Sequence, residues 1–240
     1  MQYIVGIENN TEGRSMAWAL EHPGCFSYGE TGDRALAGLP EAIWKYAAWI
    51  RSHNYGRGWL EEGEIEFYLD GTWEVYAIDE AFNLAKQGYE VNAWYLHDWK
   101  PLTANDVECG LQILTWSREE LLQATQDLNH SALAQGHPGE RRSIAGIVKH
   151  VGGAEWWYLD RLGLVFPWAE VPADPFERIE TVRAQLVKVL PELVGSKLVT
   201  GAGGEWWSPR KLLRRACWHE RDHTEHILKL RQNSPPSEQI

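Results

Sequence analysis

Apolar residues at Ile144, Ile147, Val148, Val151, Ala154, Tyr158 and Leu162 recur every three or four positions, which predicts a helix with one buried face over residues 143–162. The same spacing at Leu36, Leu39, Ile43, Ala47 and Ile50 predicts a helix over 33–53. Helical patterns also cover 103–132, with a kink near Trp116-Ser117, and 176–193, which Pro191 can end early. A last helix starts at Ser208-Pro209, a capping serine followed by proline in the first turn, and runs to about Gln232. Ahead of these lie shorter segments. Residues 2–8 and 15–21 read as strands joined by the turn-rich Asn9-Asn10-Thr11-Glu12-Gly13, hence a hairpin, and 25–28 as a third strand. Residues 64–69 and 73–78 read as strands around an Asp70-Gly71 turn, and 79–87 as a short helix.

Strands dominate the first part and helices the second, so the expected class is α+β: a small α+β domain over 1–100, then an all-α four-helix bundle over 101–240. His97-Asp98-Trp99-Lys100-Pro101 marks the junction, and Thr103-Ala104-Asn105-Asp106 can cap a new helix. Gln135-Gly136-His137-Pro138-Gly139 and residues 167–175 read as loops, and Gly201-Ala202-Gly203-Gly204 as a flexible connector. The tail Ser234-Pro235-Pro236-Ser237 is expected to fray.

Composition sharpens this picture. With 44% hydrophobic residues in 240, the chain has material for a packed core. Residues 1–110 carry 7 basic and 18 acidic side chains, whereas 111–240 carry 16 of each, so the first part holds all of the net charge of −11. That acidity argues against nonspecific nucleic-acid binding. Cys25, Cys109 and Cys217 are odd in number and far apart, which indicates neither a disulfide framework nor a cysteine zinc site. No stretch has the ~18 apolar residues of a membrane span, and the start lacks a leader pattern, so a reducing cytoplasm is the expected setting. Of the 14 tryptophans, Trp156, Trp157, Trp168, Trp206, Trp207 and Trp218 fall late in the chain, where they suit core packing or the wall of a pocket. Phosphate-binding and serine-hydrolase motifs are absent.

The chemistry lies in the last helix. His219, His223 and His226 follow one another at i, i+4 and i+7, on the face that also carries Leu212, Ala216 and Leu230. Polar rings in an apolar stripe need partners, and a metal ion can serve several together. His219 and His223 stand side by side on such a helix and suit joint metal capture. His226 lies a turn later and could join or only line the pocket. The best third ligand from another helix is His150, beside the 143–162 stripe and followed by the small Gly152-Gly153-Ala154; His130 and His137 are weaker candidates. Glu155, Asp160, Glu220 and Asp222 read either as partners behind the ligands or as surface charges.

Two resemblances extend these readings. Ile147-Val148-Lys149-His150-Val151-Gly152-Gly153-Ala154-Glu155-Trp156-Trp157-Tyr158-Leu159-Asp160-Arg161-Leu162 resembles the second helix of the DinB-like (YfiT-like) superfamily, and Trp218-His219-Glu220-Arg221-Asp222-His223-Thr224-Glu225-His226-Ile227 its fourth. The likeness spans about 103–232 and implies a metal site made by His150, His219 and His223. Three neutral imidazoles leave positions open for water or substrate. The resemblance therefore implies a divalent metal (zinc or nickel foremost, manganese or iron as alternatives) and a transferase or hydrolase that activates a thiol or water. The alternative is a non-catalytic metal-binding or stress-related interaction protein. The implied partner is a small-molecule substrate such as a low-molecular-weight thiol, and a homodimer is compatible. In the first part, the hairpin, Pro23-Gly24-Cys25-Phe26-Ser27-Tyr28-Gly29-Glu30-Thr31 and the helix with Ala35, Leu36 and Glu41-Ala42 resemble the HicB-like antitoxin fold, which implies a protein-contact module.

Overall fold

The computed structural model describes residues 1–53 and 63–233, so the tail from Ser234 lies outside the described residues. The chain divides into two compact units, Met1–Thr103 with Gly195–Arg215, and Ala104–Val194 with Ala216–Ile240. The sequence reading puts one boundary at residue 100; the first compact unit runs to Thr103 and also takes in Gly195–Arg215.

In the first unit, strands β1 (Gln2–Thr11) and β2 (Arg14–Ala19) form the expected antiparallel hairpin, and β3 (Phe26–Gly29) pairs antiparallel with β2. Helix α1 (Gly32–Ser52) follows, its first turn capped by Thr31, whose hydroxyl accepts from the Arg34 amide. Its buried face, Ala35, Leu39, Ile43, Tyr46, Ala47 and Ile50, keeps the spacing seen in the sequence. The sheet supplies Tyr3, Val5, Ile7, Met16 and Trp18 to the core.

Three local expectations fail here. Asp70-Gly71 is not a turn. Strand β4 (Glu66–Glu74) runs straight through it and pairs parallel with β1, completing a sheet of order β3-β2-β1-β4. Val5 pairs with Leu69 but Gly6 with Gly71, so Asp70 is the extra residue of a bulge. Its carboxylate accepts from the His97 amide at 3.0 Å. Residues 79–87 are not helical. The Asp79 carboxylate accepts from the amides of Ala81 and Asn83, a side-chain-made turn that competes with a helix. Strands β5 (Tyr76–Ile78), β6 (Leu84–Ala85) and β7 (Tyr89–Val91) form a small second sheet around it. Gly201-Ala202-Gly203-Gly204 is not a loose connector either. Strands β8 (Thr200–Ala202) and β9 (Glu205–Trp207) form a hairpin, with Gly203 and Gly204 at φ 61° and 81°. Successive left-handed residues make the tight turn that suits the twist of paired strands, and glycine adopts them at little cost.

The second unit is helical: α2 (Ala104–Gln123), the single-turn α3 (His130–Ala134), α4 (Ile144–Asp160), α5 (Pro175–Val189) and α6 (Pro209–Asn233), which joins this unit from Ala216 onward. The helix expected over 103–132 ends at Gln123. Asn129 then caps α3 through the Ala132 amide, a fresh start that divides the pattern in two. Ser143 caps α4 and Asp174 caps α5, whereas Pro191 lies in a short 3-10 turn, Leu190–Leu193, after α5 has ended. Leu121, Ile144, Ile147, Val148, Val151, Ile179, Ile227 and Leu230 meet in the core. A Cβ at Gly152 would stand 2.8 Å from Arg178 Cγ and 3.2 Å from Ile179 Cγ2, so the missing side chain is what lets α5 approach α4 this closely.

Candidate metal centre

His150 comes from α4, one residue before the buried Val151, and His219 and His223 come from successive turns of α6. His219 is buried and the other two are half-buried. The three rings converge on their Nε2 atoms: His219 Nε2 lies 3.2 Å from His150 Nε2 and 3.1 Å from His223 Nε2. Among the described residues this is the one group of three or more His, Cys, Asp or Glu side chains placed to hold a metal ion, with ligand atoms all within 4.8 Å of one another.

The donor set fits a metal. Ligand nitrogens about 2.05 Å from a tetrahedral ion stand about 3.3 Å from each other, close to the separations seen. Hydrogen bonding alone serves the cluster poorly. Neutral His219 Nε2 carries either one proton or one lone pair, so it can make a good hydrogen bond to one of its two neighbours but not to both. A divalent cation serves all three together. The rings are held ready for that role: burial first, then the positive field of His223, Arg142 and Arg141, push His150 down to about 3, so it is neutral at physiological pH. Edge-to-face packing fixes their tilt, with ring centroids of His219 and His223 4.3 Å apart and those of Tyr158 and His219 6.0 Å apart.

His226, the third histidine of the helix, falls outside the group. Its ring centroid is 6.3 Å from that of His223, and its Nε2 meets Glu140 at 3.1 Å. His130 is exposed at the start of α3, and His137 sits in the following loop. Asp160 pairs with Arg161 at 2.9 Å, and Asp222, half-buried on α6, is not among the clustered side chains.

Glu155 and Glu220 have a distinct place. Both are buried and both bind Arg183 of α5, whose Nη2 donates to Glu155 Oε2 at 2.6 Å and to Glu220 Oε2 at 2.5 Å. Arg183 Nη1 also donates to the Leu114 carbonyl of α2 at 2.6 Å. Arg118 of α2 adds bonds to Glu220 Oε1 and to the Ile179 carbonyl, each 2.6 Å. Burial raises the Glu220 carboxyl, but the Arg183 and Arg118 guanidiniums outweigh it and hold it below the usual carboxylate range. Neither arginine stood out in the sequence. The available signal was the one that exposed the histidines: Arg183 interrupts the apolar stripe of Ile179, Val182 and Leu186.

Residues 113–227, a span that holds all three histidines and this network, match the family model of the DinB superfamily. Among solved structures, the chain is similar to one described as "YfiT from Bacillus subtilis is a probable metal-dependent hydrolase with an unusual four-helix bundle topology", at 18% sequence identity and a TM-score of 0.43 over 57% of this chain and 94% of that one. A comparison with curated proteins finds no match. Among the described residues, no helix is long and apolar enough to cross a membrane.

Proposed function

We propose that the DinB-like bundle binds one divalent metal ion through His150, His219 and His223, and that the first hundred residues form a HicB-like module for protein contacts. The observation that carries the metal reading is the convergence of three Nε2 atoms, His219 at 3.1–3.2 Å from each neighbour, on one half-buried point. Zinc and nickel both suit three imidazoles. A metal bound there would lower the pKa of a ligated thiol or water and polarise an adjacent carbonyl. The chain's own residues do the rest. The buried wall of α4 and α6 keeps His150 neutral and the three rings aimed, and His150 and His223, only half-buried, leave a side for a small molecule. The reaction class is transfer to or from a low-molecular-weight thiol, or hydrolysis.

A second, non-catalytic reading rests on a different observation. Strand β4 lies at the edge of its sheet and exposes Tyr68 and Leu69, at 58% and 51%, so the first unit offers a surface for a protein partner. The element order β1-β2-β3-α1-β4, with β1 and β4 parallel, supports the HicB-like reading.

Elemental analysis of protein purified without a histidine tag tests the metal reading: about one divalent ion per chain is expected, with loss in His150→Ala, His219→Ala and His223→Ala. Unchanged metal content in those variants would overturn it. Thiol consumption with electrophilic substrates, abolished in the same variants, then separates the enzyme from the non-catalytic protein.

A further inference from the structure

The guanidinium of Arg183 hydrogen-bonds to three other helices of the bundle. It projects from α5 and bonds Leu114 O on α2, Glu155 on α4 and Glu220 on α6. Two of those partners sit on the helices that carry the histidines. Glu155 follows His150 on α4 by little more than one turn, and Glu220 lies between His219 and His223 on α6. A single nitrogen, Arg183 Nη2, meets a carboxylate oxygen of each, at 2.6 and 2.5 Å. The bond to Glu155 is forked, with Arg183 Nε donating to both of its oxygens at 2.9 and 3.1 Å. All three side chains are buried.

Resting on the metal-binding reading above, we infer that Arg183 is a positioning residue for the histidine site: it sets the spacing of α4 and α6 and thereby the gap that His150 and His219 close. Apolar packing between these helices is nondirectional and tolerates sliding. Buried ionic hydrogen bonds do not, because length and angle are both constrained and no water replaces them. Removing the guanidinium also leaves Glu155 and Glu220 facing one another without a cation between them. The two carboxylates then repel across the gap that the guanidinium had bridged, which resets α4 against α6. Arg118 bonds Glu220 and the Ile179 carbonyl of α5 but, among the described residues, no group on α4, so it cannot substitute.

Cobalt(II) alone serves as the probe, because its visible absorption reports coordination geometry as well as occupancy. We expect Arg183→Met to weaken cobalt binding at least tenfold, in the range seen for partners behind metal ligands, and to alter the visible bands. Arg183→Lys, which keeps the charge but lacks the fork, should fall between that variant and the unaltered protein. Leu186→Ala, a fully buried core change on the same helix, controls for simple destabilisation and should keep the cobalt affinity within about twofold. If Arg183→Met does not fold, Arg183→Lys carries the comparison. Unchanged affinity and bands in the arginine variants, or an equal loss in Leu186→Ala, would overturn the positioning role while leaving the metal site standing. Failure of the unaltered protein to take up cobalt would overturn the metal reading and this role with it.

Discussion

Arg215 and Glu8, 207 residues apart in sequence, form an ion pair of 2.7 Å that is almost wholly buried. Burial opposes ionising Glu8, but Arg215, the Ala93 amide and the neighbouring Arg214 and Lys211 bring its carboxyl below the usual carboxylate range. Its other oxygen accepts from Trp18 Nε1 at 3.2 Å. Asp98 with Arg214, at 2.8 Å, and Glu205 with Lys211, at 2.7 Å, repeat the arrangement close by in sequence. The first unit thus answers part of the acidity of the N-terminal half with bases from the start of α6.

Breaking the Glu8–Arg215 pair from one side should be costly. Arg215→Met leaves a buried carboxylate and is expected to destabilise the protein by about 3–5 kcal/mol. Glu8→Gln combined with Arg215→Met should recover much of that loss, since no charge is stranded. Urea unfolding of the single and double variants measures both. A double variant as unstable as the single one would mean that the loss lies in packing rather than in charge.

Acid should weaken the fold from about pH 6.5 downward. His22, whose ring packs at a tilt against Tyr3 with centroids 5.4 Å apart, is pushed down to about 4 by burial. An unfolded histidine protonates near 6.5, so between those values the unfolded state takes up the proton first. Stability is unaffected by this group above pH 6.5 and declines as the pH falls toward 4, by about 2 kcal/mol. The lowered carboxyl of Glu220 adds a second decline below about pH 4.5, where the unfolded carboxyl protonates and the folded one does not. His22→Gln should narrow the gap in urea midpoint between pH 7.5 and pH 5. A gap of unchanged width would assign the acid sensitivity to other groups.

Gly152→Ala should destabilise the bundle despite alanine's better helix propensity. The propensity gain is about 1 kcal/mol. Against it, the new methyl would press on Arg178 Cγ at 2.8 Å, and that side chain is anchored by a 2.9 Å bond from its Nε to the Pro172 carbonyl. Overpacking of this kind costs about 1–3 kcal/mol. A fall in thermal midpoint is expected, and a rise would mean that α5 shifts freely.

Much of the bundle was legible in the sequence because helical periodicity is a local property. The stripe from Ile144 to Leu162, the Ser143 and Ser208 starts and the His219–His223 pair need only the pitch of a helix to be read. Even the set of candidate ligands could be narrowed to a few histidines. Strand boundaries were less legible. A bulge at Asp70, an Asp79 turn and a two-glycine hairpin all carry the residues of ordinary turns, and only pairing with β1, β5 or β9 decides among them.

The sequence by itself determined which residues have a buried face and which polar groups would be trapped there: three histidines on α6 and His150 on α4. Tertiary structure alone decided how those groups are satisfied. It sent His226 to Glu140, gathered His150 with His219 and His223, and gave Arg183 to Glu155 and Glu220. The reason is physical. A side chain's burial follows from the repeat of its own segment, whereas its partner is whichever complementary group the packing of distant segments brings within about 3 Å.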